Sequence, residues 1–173
     1  WIGTEDGGLN RFNLNTKEFS FFAPSAGFTN IHGLCLVDDK LWVGTFSKGL
    51  KIIDTRTGTV LKTYQKNSSP RSLIDNSIFA ICRTATGDIY LGTMFGLVKY
   101  NKQSDDFDRI PELNGKFVYD IKEDSGGNIW LATYANGAYC YNVNDRKWKN
   151  YVHDEKDTTS LSYNKVSSIF EDS

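Results

Sequence analysis

Short apolar segments recur along the whole chain, and polar stretches rich in Gly, Asp, Asn and Ser separate them. No stretch repeats its apolar residues with the 3.6-residue period of an amphipathic helix. Short apolar segments bounded by turn-forming residues are typical of β-strands joined by hairpins. The pattern therefore predicts an all-β protein.

One of these segments occurs four times, each time as an aromatic residue, a branched aliphatic residue, a small residue and a threonine. The copies are Trp1-Ile2-Gly3-Thr4, Trp42-Val43-Gly44-Thr45, Tyr90-Leu91-Gly92-Thr93 and Trp130-Leu131-Ala132-Thr133. Their first residues lie 41, 48 and 40 positions apart. A period of roughly 20 to 50 residues indicates a solenoid, a propeller or an array of repeats.

The predicted strands place large apolar residues on both of their faces, as in Leu97-Val98 and Tyr139-Cys140-Tyr141. An antiparallel sheet with one face in water would alternate apolar and polar residues more cleanly. A propeller blade is a four-stranded sheet packed between similar sheets, so both of its faces are buried. A β-solenoid would need a shorter repeat. We therefore expect a β-propeller segment of about four blades, each a four-stranded antiparallel sheet.

The repeats divide residues 1–173, which we expect to form a single propeller segment. The expected units are a partial blade at 1–22, blades at 31–64, 76–110 and 117–152, and the first strand of a next blade at 164–173. The strand of this last unit is expected at Lys165–Glu171. Because both ends cut a blade, we expect open strand edges that favour self-association, including a homodimer.

Composition narrows the class of partner. Twenty basic and 21 acidic residues give a net charge of −1, so no positive field would attract nucleic acid or a membrane surface. The apolar segments are too short to span a bilayer, and the first residues do not resemble a signal peptide. The three cysteines lie in apolar strand patterns and are expected to be small buried hydrophobic residues. Their spacing gives no metal site, and no cofactor is predicted.

The repeated polar and small residues have structural explanations. Asp124 precedes a turn, where its carboxylate is expected to accept bonds from the N–H groups of that turn. Gly137 stands where a tight turn needs a positive φ or a close backbone approach. The aromatic residue of the second strand, as in Trp130, is expected to fill the wedge between neighbouring blades.

The fourth repeat and two of the linkers carry a recognisable set of residues. These are Val118, Ile121, Glu123-Asp124, Gly126, Asn128-Ile129-Trp130, Thr133, Gly137, Tyr141-Asn142, Trp148 and Tyr151, with Ser72-Leu73 and Asn76, and Ser160-Leu161 and Asn164, in the linkers. This set resembles the two-component regulator propeller repeat. The second repeat is the poorest copy, with Asp38-Asp39-Lys40 in place of the Gly-Asn turn.

The resemblance implies a function as well as a fold. Proteins with these repeats are chiefly hybrid two-component sensor histidine kinases of Bacteroides-type bacteria, in which pairs of propellers of about seven blades each lie in the periplasm. There they contribute to the detection of oligosaccharides, ahead of a membrane helix and a kinase. The resemblance thus implies that this chain is part of a seven-bladed propeller in a periplasmic sensor. Its implied partners are an oligosaccharide and the other blades and domains of the same sensor.

Two other functions stay open at this point. A structural or protein-interaction propeller outside signalling would present the ring only as a docking surface. A carbohydrate-active enzyme would need converging carboxylates or a constellation of Tyr, His and Arg. The acidic residues here occupy turns and repeat positions, and the two histidines, His32 and His153, lie in no motif. We predict no catalytic residue and expect the chain to act by binding.

Ligand-binding residues are expected where the repeats differ. Propellers usually bind on the face formed by the loops between the second and third strands and between blades. In this chain those loops place exposed aromatic rings beside polar groups, as a sugar site requires. The candidates are Phe46, Lys48, Phe95, Tyr134 and Asn136 in the loops, and His32, Asn76 and Tyr119 near the start of the innermost strands. The alternative is that the loop aromatics cap the blades or pack on the next blade.

Overall fold

The computed structural model describes residues 1–22 and 30–172, in which fifteen strands form four antiparallel sheets. The first sheet contains β1 (Ile2–Thr4), β2 (Gly8–Phe12) and β3 (Phe19–Phe22). The second contains β4 (Ile31–Val37), β5 (Lys40–Thr45), β6 (Leu50–Asp54) and β7 (Val60–Tyr64). The third contains β8 (Ile78–Arg83), β9 (Ile89–Thr93), β10 (Gly96–Asn101) and β11 (Asp106–Arg109). The fourth contains β12 (Val118–Glu123), β13 (Ile129–Thr133), β14 (Ala138–Asn142) and β15 (Lys147–Tyr151).

Each sheet is a meander, with its strands hydrogen-bonded in sequence order. The first strands of the complete sheets are neighbours, since β4 contacts β8 and β8 contacts β12. They are therefore the innermost strands of successive blades. The prediction of an all-β propeller segment is confirmed.

Apolar side chains fill the space between consecutive sheets. Between the second and third sheets, Trp42 and Ile52 pack against Ile78, Leu91 and Val98. Comparable clusters lie between the first and second sheets and between the third and fourth. Because every inner sheet packs on both sides, both faces of its strands are apolar, which explains the poor alternation in the sequence.

Each innermost strand contains an irregularity near its start. The pairing shifts by one residue at His32 in β4, at Phe79 in β8 and at Tyr119 in β12. An extra residue of this kind is a β-bulge, which bends the strand and redirects a side chain. All three bulges lie at the same repeat position, so they place one side chain per blade at equivalent points of the segment.

The strand expected at Lys165–Glu171 is not formed, because residues 164–172 pair with no strand. A strand needs a hydrogen-bonded neighbour, and the sequence contains no second strand for this unit. The segment instead lies beside the fourth sheet, with Val166 N donating to Thr133 O at 2.9 Å and Ile169 N donating to Asp120 Oδ2 at 3.1 Å.

Helix is nearly absent from the described residues, where the one helical element is a 3-10 turn at Pro111–Leu113. No helix in that part of the chain has the length and apolar character to cross a membrane.

Candidate functional site

Six rings from three neighbouring sheets gather where the innermost strands begin. They are His32, Phe46, Phe79, Phe117, Tyr119 and Tyr134, and we call them the inner aromatic cluster. Two backbone features place them there. The bulges position His32, Phe79 and Tyr119, while the turns that follow β5 and β13 carry Phe46 and Tyr134.

The same set of hydrogen bonds recurs in these two turns and holds their backbone. The buried hydroxyl of Thr133 donates to Gly137 O at 2.6 Å and accepts the Asn136 amide at 3.1 Å. Tyr134 N then donates to Phe117 O at 3.0 Å, which ties the turn to the start of the innermost strand of its own sheet. The turn after β5 repeats the scheme, with Phe46 N donating to Asn30 O at 2.9 Å. The repeated threonine is therefore a structural residue that holds the aromatic turn.

Phe79 lies at the centre of the cluster. Its ring centroid is 4.6 Å from that of His32, 4.5 Å from that of Phe117 and 5.6 Å from that of Tyr119. The Phe46 ring lies 6.3 Å away, at a steep angle. These separations are typical of aromatic pairs that stabilise one another beyond the area they bury. The rings therefore form one continuous surface across the second, third and fourth sheets.

The rings of Phe117, Tyr119 and Tyr134 are nearly parallel. The Phe117 and Tyr119 planes differ by 15° at a centroid distance of 4.5 Å, and Tyr134 stacks 5.7 Å from Phe117. Tyr134 and Phe46 are 43% and 41% exposed, so flat apolar surface reaches solvent at both ends of the cluster. The ammonium group of Lys165 stands 4.4 Å from the centroid of the Tyr134 ring. A flat apolar surface bordered by polar groups is suited to stacking against a sugar ring.

Four of the candidate residues are in this cluster, namely His32, Phe46, Tyr119 and Tyr134. Three others occupy the final turn position, where the amides of Lys48, Phe95 and Asn136 donate to the threonine hydroxyl of their own turn. Phe95 is 52% exposed but makes no ring contact with the cluster among the described residues. Its turn is one residue shorter than those of Phe46 and Tyr134. The position directly after the threonine, which Phe46 and Tyr134 hold in their turns, belongs here to Met94, whose amide donates to Ser77 O at 3.1 Å.

Asn76 lies in the linker that precedes β8. Its Oδ1 accepts the Lys66 amide at 2.7 Å, and its carbonyl oxygen accepts the Gly49 amide at 2.9 Å. Asn164 repeats both contacts with His153 and Gly137. The side-chain oxygen of Asn76 is thus engaged in holding the connection between blades.

Sequence reasoning missed Phe79 and Phe117. Phe79 occupies the same repeat position as His32 and Tyr119, which were both candidates, and Phe117 directly precedes the innermost strand of its sheet. A residue-by-residue superposition of the repeats would have identified Phe79.

A cleft of about 840 Å³ lies between the second and third sheets, among the turns at the opposite ends of the innermost strands. Asp105 bridges it by contacting Lys62 and the hydroxyl of Tyr64, and by accepting a bond of 2.7 Å from the hydroxyl of Tyr100. Burial, together with the neighbouring Tyr64 hydroxyl, raises the pKa of Tyr100 to about 12. Because these groups bind one another across the cleft, we interpret them as a contact that stabilises the packing of two blades.

The described ranges contain no group of three or more His, Cys, Asp or Glu side chains that could hold a metal ion. Cys35, Cys82 and Cys140 are free thiols, and burial raises the pKa of each. They are therefore largely protonated at neutral pH and poorly reactive.

Comparison with known proteins identifies the repeats. Residues 72–95 and 112–135 match the two-component regulator propeller family. The chain contains two-component regulator propeller repeats in these two segments. The family predicted from the residues of the fourth repeat is thereby confirmed.

The chain spans only a small part of the longer proteins that it matches. Over 145 residues the chain is 32% identical to a histidine kinase of Formosa agariphila, an alignment that covers 77% of this chain and 11% of that protein. A structure described as the extracellular domain of a hybrid two-component system from B. thetaiotaomicron superposes with a TM-score of 0.76 at 22% identity, covering 99% of this chain and 22% of the other. PorZ, a surface component of the type-IX secretion system of Porphyromonas gingivalis, superposes with a TM-score of 0.72 at 15% identity, covering 96% and 27%. At these identities the two structures establish the fold alone.

Proposed function

We propose that this chain is a ligand-sensing propeller segment in the periplasmic region of a hybrid two-component sensor histidine kinase, and that its ligand is an oligosaccharide. The two-component regulator propeller repeats and the similarity to a histidine kinase support the sensor role. The inner aromatic cluster is the observation that supports an oligosaccharide as the ligand. Its rings extend over three blades, and exposed Phe46 and Tyr134 lie at its ends.

The extent of the cluster suits a signalling role. A ligand that contacts several blades at once binds best when those blades hold one relative arrangement. Such a ligand shifts the population of arrangements by as much as its affinities for them differ. In this proposal the chain transmits binding to the other domains of the sensor and catalyses nothing itself.

The experiment is calorimetric titration of the complete periplasmic region of the native sensor against a panel of defined oligosaccharides. We expect the double substitution Phe46→Ala with Tyr134→Ala to weaken the best ligand at least about tenfold, or about 1.4 kcal/mol. Phe21→Ala is the matched control, because Phe21 is an exposed phenylalanine on the first sheet, outside the cluster. An unchanged affinity in the double variant would overturn the site, and failure of every oligosaccharide to bind would overturn the function.

A protein-interaction propeller outside signalling is the second candidate. Exposed Phe95 favours it, because its ring adds apolar surface in the turn between β9 and β10 that the inner aromatic cluster does not include. A gene that encodes no membrane span or kinase with this chain would support this candidate. Self-association into a homodimer is a further expectation, which light scattering of the purified protein would test.

A further inference from the structure

The ammonium group of Lys165 covers part of the surface on which the proposed sugar would stack. Its Nζ stands 4.4 Å from the centroid of the Tyr134 ring. The backbone holds the lysine in this place, because the next residue, Val166, donates its amide to Thr133 O at 2.9 Å. Ile169 anchors the same segment by donating to Asp120 Oδ2. The backbone at Lys165 is therefore held beside the Tyr134 end of the cluster.

Lys165 forms no ion pair within residues 1–22 and 30–172. Asp120, on the innermost strand of the fourth sheet, accepts the amides of Ile121 and Ile169 with its two oxygens. The exposed ammonium group of Lys165 is thus available to pair with an anionic group of a ligand at the Tyr134 end of the cluster.

We propose that the ligand is an anionic oligosaccharide whose carboxylate or sulfate group binds Lys165 while its sugar ring packs on the Tyr134 end of the cluster. This inference rests on the proposed function. A neutral sugar stacking on Tyr134 would have to compete with the ammonium group for the same ring face. The anionic group of a charged sugar would instead form a charge-assisted hydrogen bond with the ammonium group of Lys165.

The experiment screens the complete periplasmic region of the sensor against an array of neutral, uronate-containing and sulfated oligosaccharides, followed by titration of the best ligand. We expect that ligand to be anionic. Methyl esterification of its carboxylates, or removal of its sulfates, should lower its binding affinity at least tenfold. The treatment that has this effect identifies the anionic group that the protein binds. Lys165→Gln should cause a similar loss and Lys165→Arg should restore most of the affinity, because arginine keeps the charge. Lys156→Gln, which removes an exposed lysine of the linker, is the matched control.

Salt and the outcomes of the screen separate the two proposals. Raising the ionic strength should weaken the wild type more than Lys165→Gln, since salt screens an exposed ion pair. A neutral best ligand whose affinity depends on Phe46 and Tyr134 but not on Lys165 would overturn this inference and leave the proposed function standing. If no oligosaccharide binds, the proposed function fails and this inference fails with it.

Discussion

Gly137→Ala is expected to be among the most destabilising substitutions of a single methyl group in this chain. Gly137 has a φ of +75°, where an alanine costs about 1–2 kcal/mol. A Cβ at this position would also overlap the carbonyl oxygen of Tyr151 and lie 3.0 Å from its carbonyl carbon. Because that carbonyl belongs to the backbone of β15, relief requires the outer strand to move, at about 1–3 kcal/mol. The expected loss is therefore about 2–5 kcal/mol in the free energy of unfolding.

Gly115→Ala separates the two contributions. Gly115 has a φ of +73°, but no atom lies within 4 Å of the position that its Cβ would take. This control should lose only the conformational part, about 1–2 kcal/mol. Urea denaturation followed by tryptophan fluorescence measures both, since Trp130 and Trp148 lie in the fourth sheet, and Gly137 lies in the turn that joins two of its strands. Losses that agree within about 0.5 kcal/mol would show that the close approach to Tyr151 is not what requires glycine.

Three further substitutions test other parts of the fold. Thr133→Val removes the hydroxyl that links Gly137 and Asn136, and should lower the free energy of unfolding by about 1–3 kcal/mol; exposed Thr158→Val is its control, and equal small effects would contradict the role given to the turn. Leu91→Ala, at a fully buried site between two sheets, should cost about 2–5 kcal/mol in the same urea assay, and a cost below about 1 kcal/mol would contradict the packing. Partial burial favours a higher pKa for Asp124, but hydrogen bonds from Asn128 and Trp130 outweigh it and hold the pKa below its usual value. The resulting stabilisation is present at neutral pH and is lost as the pH falls below about 4, so Asp124→Asn should flatten the stability profile there, whereas parallel profiles would contradict this assignment.

The fold could be predicted because its determinants are local and repeated. Of the four aromatic-aliphatic-small-threonine segments, the first forms β1, and the others form β5, β9 and β13, each paired between two other strands. The Gly, Asp, Asn and Ser residues between the strands indicated the turns. The role predicted for Asp124 is confirmed by its bonds to the Asn128 amide, at 2.7 Å, and to the Trp130 indole, at 2.8 Å. The expected strand at Lys165–Glu171 was wrong because pairing depends on a neighbour, and a residue pattern cannot show whether one is present.

The candidate site was less predictable because it depends on register. Apolar alternation around Phe79 was already blurred, so the bulge was not apparent from that pattern, although Phe79 shares the repeat position of His32 and Tyr119. The loop aromatics were grouped as lying one or two residues after the threonine, so Phe95, the second residue after Thr93, was placed with Tyr134, the first after Thr133. The structure separates them, because Met94 rather than Phe95 makes the backbone bond that corresponds to that of Tyr134. Whether the assembled rings bind a ligand stays a prediction.

The bulges at His32, Phe79 and Tyr119 also bear on how a propeller of this kind could diversify. A bulged residue stands outside the regular cross-strand pairs, which resume on both sides of it. Its side chain therefore takes no part in the cross-strand pairs that build each blade. Duplication of one blade copies the scaffold together with one such position, and later substitutions there would alter the surface one blade at a time. A lineage could in this way acquire new recognition without rebuilding the ring.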